Sequence, residues 1–158
     1  MRAFLRFIWF PAVITAVFMS WLWLDRAVGW RGIHLPWAGR LLVLAGLLLV
    51  SWCAILFADL GEGTPHPFAA KTKHLVIAGP YRTVRNPMMW GVGVLLVGSA
   101  LWLASVGLWL GFLGFLIFVC LFVPRYEERD MERRFGEEYR QYCARVPRWW
   151  PQIPGKVE

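Results

Sequence analysis

Arg82, Arg85 and Asn86 stand within the segment GPYRTVRNP, residues 79–87, directly before a strongly apolar run. Pro87 suits the first turn of a helix, where its missing N–H costs nothing. A helix opening there points free backbone N–H groups and a partial positive charge at the polar side, with two guanidinium groups beside them. Such a mouth fits a carboxylate or phosphate, which arginine can grip in bidentate fashion. The simpler alternative is that Arg82 and Arg85 reach up to lipid phosphates. A second polar group lies in PRYEERDMERRFGEEYRQYCARVPRWWP, residues 124–151. Projected at about 100° per residue, Met131, Phe135, Tyr139 and Tyr142 form one stripe, with Arg129, Arg133 and Arg140 opposite. Glu127, Glu128 and Glu138 project onto or beside that stripe. Carboxylates aimed at an interior need a partner or a task. They could pair with Arg82, Arg85 or Arg125 and brace the loop against the tail, or they could hold the hydroxyl or amine groups of a ligand. At this level both readings stand.

The elements that must position these groups are membrane helices. The chain of 158 residues is 58% hydrophobic and carries eleven tryptophans and eleven phenylalanines. Its mean hydropathy of +0.49 is far above that of a soluble domain of this size. Uncharged runs of 18 residues cover 7–24 and 41–58, and 39 residues without a charge cover 86–124. The last is too long for one span and suits two joined by a tight turn near Ala104 to Gly107. The expected fold is therefore all-α and integral to the membrane. Its four transmembrane helices cover 7–24, 41–58, 87–104 and 106–123, the last two forming a tight hairpin. The chain is expected to form a single membrane domain, with a polar loop over 61–87 and an amphipathic interfacial helix in the tail over 124–151. The first run is longer than the apolar core of a leader and ends in the bulky MSWLWLD, so it reads as a span. Glycines at 91 and 98, and at 107, 111 and 114, predict a close approach of the two hairpin helices.

Charge chooses the orientation. With four spans, 14 of the 17 lysines and arginines fall on the side that holds both termini and the 61–87 loop. Both termini are thus expected to be cytoplasmic, in a membrane of the bacterial inner-membrane kind. The net charge of +7 follows from this asymmetry and from anionic head groups, with no call for nucleic acid. Cys53, Cys120 and Cys143 offer no paired spacing and read as small buried residues. His66 and His74 lack a neighbouring carboxylate pair, and His34 is equally plain, so no metal site is expected. The glycines of GVGVLLVG lie inside an apolar span rather than between a strand and a helix, which excludes a nucleotide fingerprint.

Taken together, GTPHPF, LVIAGPYRTVRNPMMWG and EERDMERRFGEEYRQYCARVPRWWP resemble the isoprenylcysteine carboxyl methyltransferase and phospholipid methyltransferase superfamily. The resemblance runs from about Gly61 to Pro151. It implies an all-helical membrane enzyme that binds S-adenosylmethionine between the two segments and transfers a methyl group to a lipidic or amphipathic acceptor. Gly79, Pro80, Tyr81, Arg85, Asn86 and Pro87 match the first block. Glu127, Glu128, Phe135, Gly136, Glu138, Tyr139, Tyr142, Val146 and Pro147 match the second. The cofactor-binding set implied is Gly79, Pro80, Tyr81, Arg82, Arg85, Asn86, Pro87, Trp90, Glu127, Glu128 and Tyr139. Glu128 is similar to the family's cofactor-contacting glutamate, and Arg125 is the nearest substitute for an arginine whose position Val123 occupies, so these two are the catalytic candidates. Asn86 replaces the histidine of the carboxyl methyltransferases, and Met89 replaces a usual tyrosine. Two other readings remain: an NADPH-dependent membrane reductase of the sterol-reductase type, and a membrane module that keeps the fold without turnover.

Overall fold

The computed structural model describes residues 18–61 and 73–152. Most of the expected span 7–24, together with His66 and the rest of 62–72, lies outside the described residues. A helix covers residues 18–28 (α1). It is followed by α2 (Pro36–Asp59), a 3-10 turn (Gly79–Arg82), α3 (Pro87–Leu103), α4 (Val106–Phe122), a π-helical turn (Val123–Glu127) and α5 (Glu128–Arg145). Among the described residues there is no strand. The stretches Pro36–Asp59 and Val106–Arg145 are long and apolar enough to cross a membrane, and Pro87–Leu103 is a shorter apolar helix.

Proline and arginine together explain where α2 starts. Pro36 occupies its first turn, five residues before the uncharged run expected to open the span. Arg40 is thereby inside the helix. Its guanidinium carbon lies 5.0 Å from the Trp37 ring centroid and 5.5 Å from that of Trp102, so aromatic faces accommodate the charge.

The glycine contacts join a different pair of helices from the one expected. A Cβ built on Gly39 would lie 2.7 Å from the Gly98 carbonyl oxygen, and one on Gly98 would lie 2.8 Å from that of Gly39. Gly46 stands in the same relation to Gly91, at 2.8 Å from its carbonyl oxygen. Glycines seven apart on α2 thus meet glycines seven apart on the antiparallel α3, backbone against backbone. In α4, Gly107 instead packs on Trp21 of α1, and a Cβ on Gly114 would meet nothing within 4 Å.

The α3–α4 turn falls at the expected place. Ala104 adopts the left-handed conformation that ends α3, with φ 51°. Ser105 then caps α4 by accepting from the Leu108 N–H at 3.0 Å. Asp25, buried at the end of α1, accepts from the Gly107 N–H at 2.9 Å and takes the Ser105 hydroxyl on its other oxygen. This carboxylate therefore satisfies donors at the α4 N-terminus, where the helix dipole favours negative charge.

Pro124 does not end the helical path, as the sequence led us to expect. It lies in the π-helical turn, and α4 runs through it into α5. The wider turn accommodates a residue that has no N–H to donate and whose ring would crowd the carbonyl of an ordinary preceding turn.

Candidate functional site

Two short segments meet at the end of α3. The Gly79–Arg82 turn brings its chain close to α2: Gly79 has φ +52°, and a Cβ there would lie 3.0 Å from Leu56 Cδ1. Tyr81 is buried edge-on to Phe57, with ring centroids 5.4 Å apart. Its backbone carbonyl accepts the Tyr142 hydroxyl at 2.8 Å. Further along, the Arg85 N–H donates to the Pro147 carbonyl at 2.9 Å, and the Gln152 N–H donates to that of Thr83 at 2.9 Å. The loop and the tail are thus sewn together by their backbones.

The apolar stripe of α5 has a specific cover. Tyr139, Tyr142 and Val146 form a buried cluster with Met131 and Phe135, and Leu75 and Ile77 of the loop pack on it. Gly136, at φ 51°, breaks the helical geometry inside α5. Tyr139 and Tyr142 keep their place on the stripe beyond that break, whereas Glu138, expected on or beside the stripe, is exposed. Across the break Arg140 Nε donates to Glu132 Oε1 at 2.9 Å, an eight-residue separation that a straight helix would not close.

Glu128 is the centre of the meeting. Its Oε1 accepts from Arg85 Nη1 at 2.9 Å and from Arg148 Nε at 2.8 Å, and its Oε2 accepts from Arg148 Nη2 at 2.6 Å. Arg148 therefore holds the carboxylate side-on through two nitrogens, and Arg85 adds a third bond from the loop. Arg85 Nη1 also contacts Cys143 Sγ at 3.0 Å. The Glu128 carboxylate raises the pKa of Arg148 further, chiefly through their hydrogen bonds. Beside the cluster lies a cleft of about 610 Å3, lined among others by Arg85, Glu128, Glu132, Tyr139, Arg140 and Cys143.

The other candidates are placed as follows. Asn86 is buried and its amide donates to the Arg148 carbonyl at 3.4 Å, making no cap bond to α3. Pro87 is buried at the first turn of α3, Pro80 lies in the 3-10 turn, and Trp90 Nε1 donates to the Trp149 carbonyl at 2.8 Å. Arg82 is exposed, its Nε 3.5 Å from the Ile77 carbonyl. Arg125 is exposed as well and, among the described residues, bonds to the Leu121 carbonyl at 3.4 Å rather than to the Glu128 cluster. Arg148 and Cys143 were missed as site residues. The VPRWWP motif was the signal for Arg148, but only its Val and Pro were carried over.

Glu127 behaves differently from its neighbour. Burial, with a smaller push from Glu128, raises its pKa to about 7. Burial likewise pushes the phenols of Tyr81, Tyr139 and Tyr142 well up. For Glu127 the sign is fixed: between about pH 4.5 and 7 the unfolded chain releases a proton that the folded chain keeps. Stability should therefore fall as pH rises through this window and level off above it, by up to the order of 3 kcal/mol. Urea denaturation in detergent across this range should show the fall, and Glu127→Gln should remove it. A variant with an unchanged slope would exclude Glu127 as the source.

A family model described as phospholipid methyltransferase matches residues 35–138, about two thirds of the chain. The chain belongs to the phospholipid methyltransferase family. It is also 38% identical over 56 residues to an uncharacterized protein of Haemophilus influenzae, an alignment covering 35% of this chain and 89% of that protein. Family membership and the apolar helices together mark a membrane methyltransferase in the general sense. In this phospholipid methyltransferase family chain, the matched region includes Arg85 and Glu128 and stops before Tyr139 and Arg148. Among the described residues no group of His, Cys, Asp and Glu side chains could hold a metal ion.

Proposed function

We propose that this chain is an S-adenosylmethionine-dependent methyltransferase held in the membrane by four helices, acting on a lipidic or amphipathic acceptor. In this reading the spans are the 7–24 run, most of which lies outside the described residues, and α2, α3 and α4, and both termini are cytoplasmic. The loop and α5 then form a cytoplasmic cap at the membrane surface, with Trp149 and Trp150 at the interface. The observation that carries the reading is the Glu128 cluster, in which the two segments of the family resemblance are joined by Arg85 and Arg148.

The residues present fit the cofactor. S-adenosylmethionine carries an α-carboxylate, an ammonium, ribose hydroxyls and a sulfonium, and the cleft beside Glu128 offers both arginines and carboxylates. Arg85 Nε is buried with no hydrogen-bond partner among the described residues, a donor suited to a carboxylate. Arg85 and Arg82 would hold the carboxylate, and Glu128 the ammonium or ribose hydroxyls. Trp90 and Tyr139 would contribute walls, while Gly79, Pro80, Tyr81, Asn86 and Pro87 fix the mouth. Arg125 has no part in this assignment. The bound cofactor supplies an electrophilic methyl group. The chain contributes alignment, exclusion of water and control of charge.

Membranes containing the protein, incubated with methyl-labelled S-adenosylmethionine, should transfer label into the lipid extract. A lipid extract without label would contradict the reading. For the orientation, a reporter fused after Glu158 should read cytoplasmic. A periplasmic or lumenal readout would rule out the four-span arrangement.

A further inference from the structure

The end of the bundle away from the Glu128 cluster carries cations without free carboxylates to meet them. Arg40 lies near one end of α2 and Asp59 closes the other. At about 1.5 Å per residue the two are roughly 28 Å apart, about one hydrocarbon thickness. Asp25 is the one acidic residue in the sequence from 1 to 58, and the sequence from 86 to 126 holds none. Both Asp25 oxygens are already taken, by the Gly107 N–H at 2.9 Å and by the Ser105 hydroxyl. Arg26, Arg31 and Arg40 are all exposed. The Gly32 N–H donates to the Ala104 carbonyl at 2.7 Å, and the Leu35 N–H to that of Leu101 at 3.1 Å. These bonds tie the stretch after Arg31 to the end of α3 that offers Trp102 to Arg40.

Arg40 is positioned by rings from two helices, Trp37 of α2 and Trp102 of α3. An indole attracts the cation but has no acceptor for its N–H groups. Those donors therefore stay open among the described residues, at a point where the chain leaves its apolar run. Along α2 the positions four and eight beyond Arg40 are Leu44 and Leu48, both exposed. At helical spacing they continue the face of Arg40 towards the middle of the span. A cation held by aromatic rings above an apolar stripe has the layout of a lipid: headgroup first, acyl chain below.

We propose that this end of the bundle binds an anionic phospholipid of the surrounding leaflet, with its phosphate on Arg40 between Trp37 and Trp102, and an acyl chain along Leu44 and Leu48. The proposal is independent of the methyltransferase reading and needs only a chain that lies in a bilayer. Arginine grips phosphate through two nitrogens at once, and Arg26 and Arg31 add positive potential that no free acid offsets. A zwitterionic lipid brings its own cation into that potential; a lipid of net negative charge does not. The occupied site also acts on the fold. Its two rings stand on either side of the Gly39–Gly98 contact, so an anion that fixes the guanidinium joins α2 to α3 where their backbones meet.

The test uses the full chain in dodecylmaltoside, with bound lipids counted by mass spectrometry of the intact complexes. Offered equal amounts of dioleoylphosphatidylglycerol and dioleoylphosphatidylcholine, the wild type should take the first with a preference of about tenfold. Arg40→Gln should lower that preference to about twofold, whereas Arg133→Gln, which removes an exposed cation of α5, should keep it. Where Arg40→Gln does not stay folded in lipid-free detergent, Arg40→Lys takes its place and should lose about threefold, because an ammonium meets phosphate as a point charge. Dioleoylphosphatidylglycerol should raise the unfolding temperature of the wild type more than that of the Arg40 variant, as a ligand of the folded state does. Inorganic phosphate at about 5 mM should not displace the lipid, since it has no chain to lie on Leu44 and Leu48. A preference kept in the Arg40 variant, a preference lost equally in Arg133→Gln, or equal binding of the two lipids by the wild type overturns the proposal. Displacement by inorganic phosphate overturns it too, since the site would then take a free anion rather than a lipid.

Discussion

Glu128→Ala should bring S-adenosylmethionine binding and methyl transfer below detection while also loosening the tail. The carboxylate accepts three charge-assisted hydrogen bonds, from Arg85 and twice from Arg148. Its side chain is 14% exposed and that of Arg85 15%, so water can replace little of what is removed. Arg148, at 37%, is better solvated and would recover part of its loss. Deleting one partner of a largely buried ion cluster leaves like charges facing each other, at a cost of roughly 3 kcal/mol. Glu128→Gln keeps the shape without the charge. It should retain more of the fold than Glu128→Ala and still bind the cofactor at least tenfold more weakly than wild type. Calorimetric titration and thermal unfolding of the variants in detergent separate the two effects. Wild-type affinity in Glu128→Gln would remove the carboxylate charge from the cofactor site.

The second large effect belongs to the helix pair that carries the site. Gly98→Leu should destabilise the fold strongly, because even its Cβ would lie 2.7 Å from the Val43 nitrogen and 2.8 Å from the Gly39 carbonyl oxygen. Both neighbours are backbone, and neither can move without parting α2 from α3. Overpacking of this kind costs about 1–3 kcal/mol where side chains can yield, and more where they cannot. Gly114→Leu adds the same side chain where nothing lies within 4 Å and should leave thermal stability within about 0.5 kcal/mol of wild type. Equal losses for the two variants would show that the cost is helix propensity or lipid exposure rather than the α2–α3 contact.

Local rules made much of this architecture readable. Pro87 marked the start of α3, and the small residues around Ala104 and Ser105 marked the turn into α4. Both follow from short-range backbone chemistry. The start of α2 was missed because a charge was taken to end a span, whereas Arg40 is held between Trp37 and Trp102. The glycine match was visible as equal spacing, 39 and 46 against 91 and 98. Only the packing of non-adjacent segments says which helices use it. Pro124 misled for a related reason, since a π-helical turn accepts a proline that an ordinary turn would not.

The polar site was legible by residue type and not by pairing. That Glu128 needed a partner followed from its place beside the apolar stripe, and Arg85 was among the partners considered. Arg148 was not, because no periodicity connects residue 148 to residue 128. Gly136 was read as a motif letter, although it breaks the helical geometry of α5 between Glu132 and Arg140, which pair across it. Cys143 was taken for a small buried residue, while the fold sets it against Arg85.

The central claim is that Arg85 and Glu128 form part of a site for S-adenosylmethionine. Its most direct test is calorimetric titration of the detergent-purified protein with S-adenosylmethionine and, separately, with NADPH, for wild type and for Glu128→Gln and Arg85→Ala. The account predicts saturable binding of S-adenosylmethionine to wild type, weakening in both variants, and no binding of NADPH. Binding of NADPH in place of S-adenosylmethionine, or S-adenosylmethionine affinity unchanged in both variants, would contradict it.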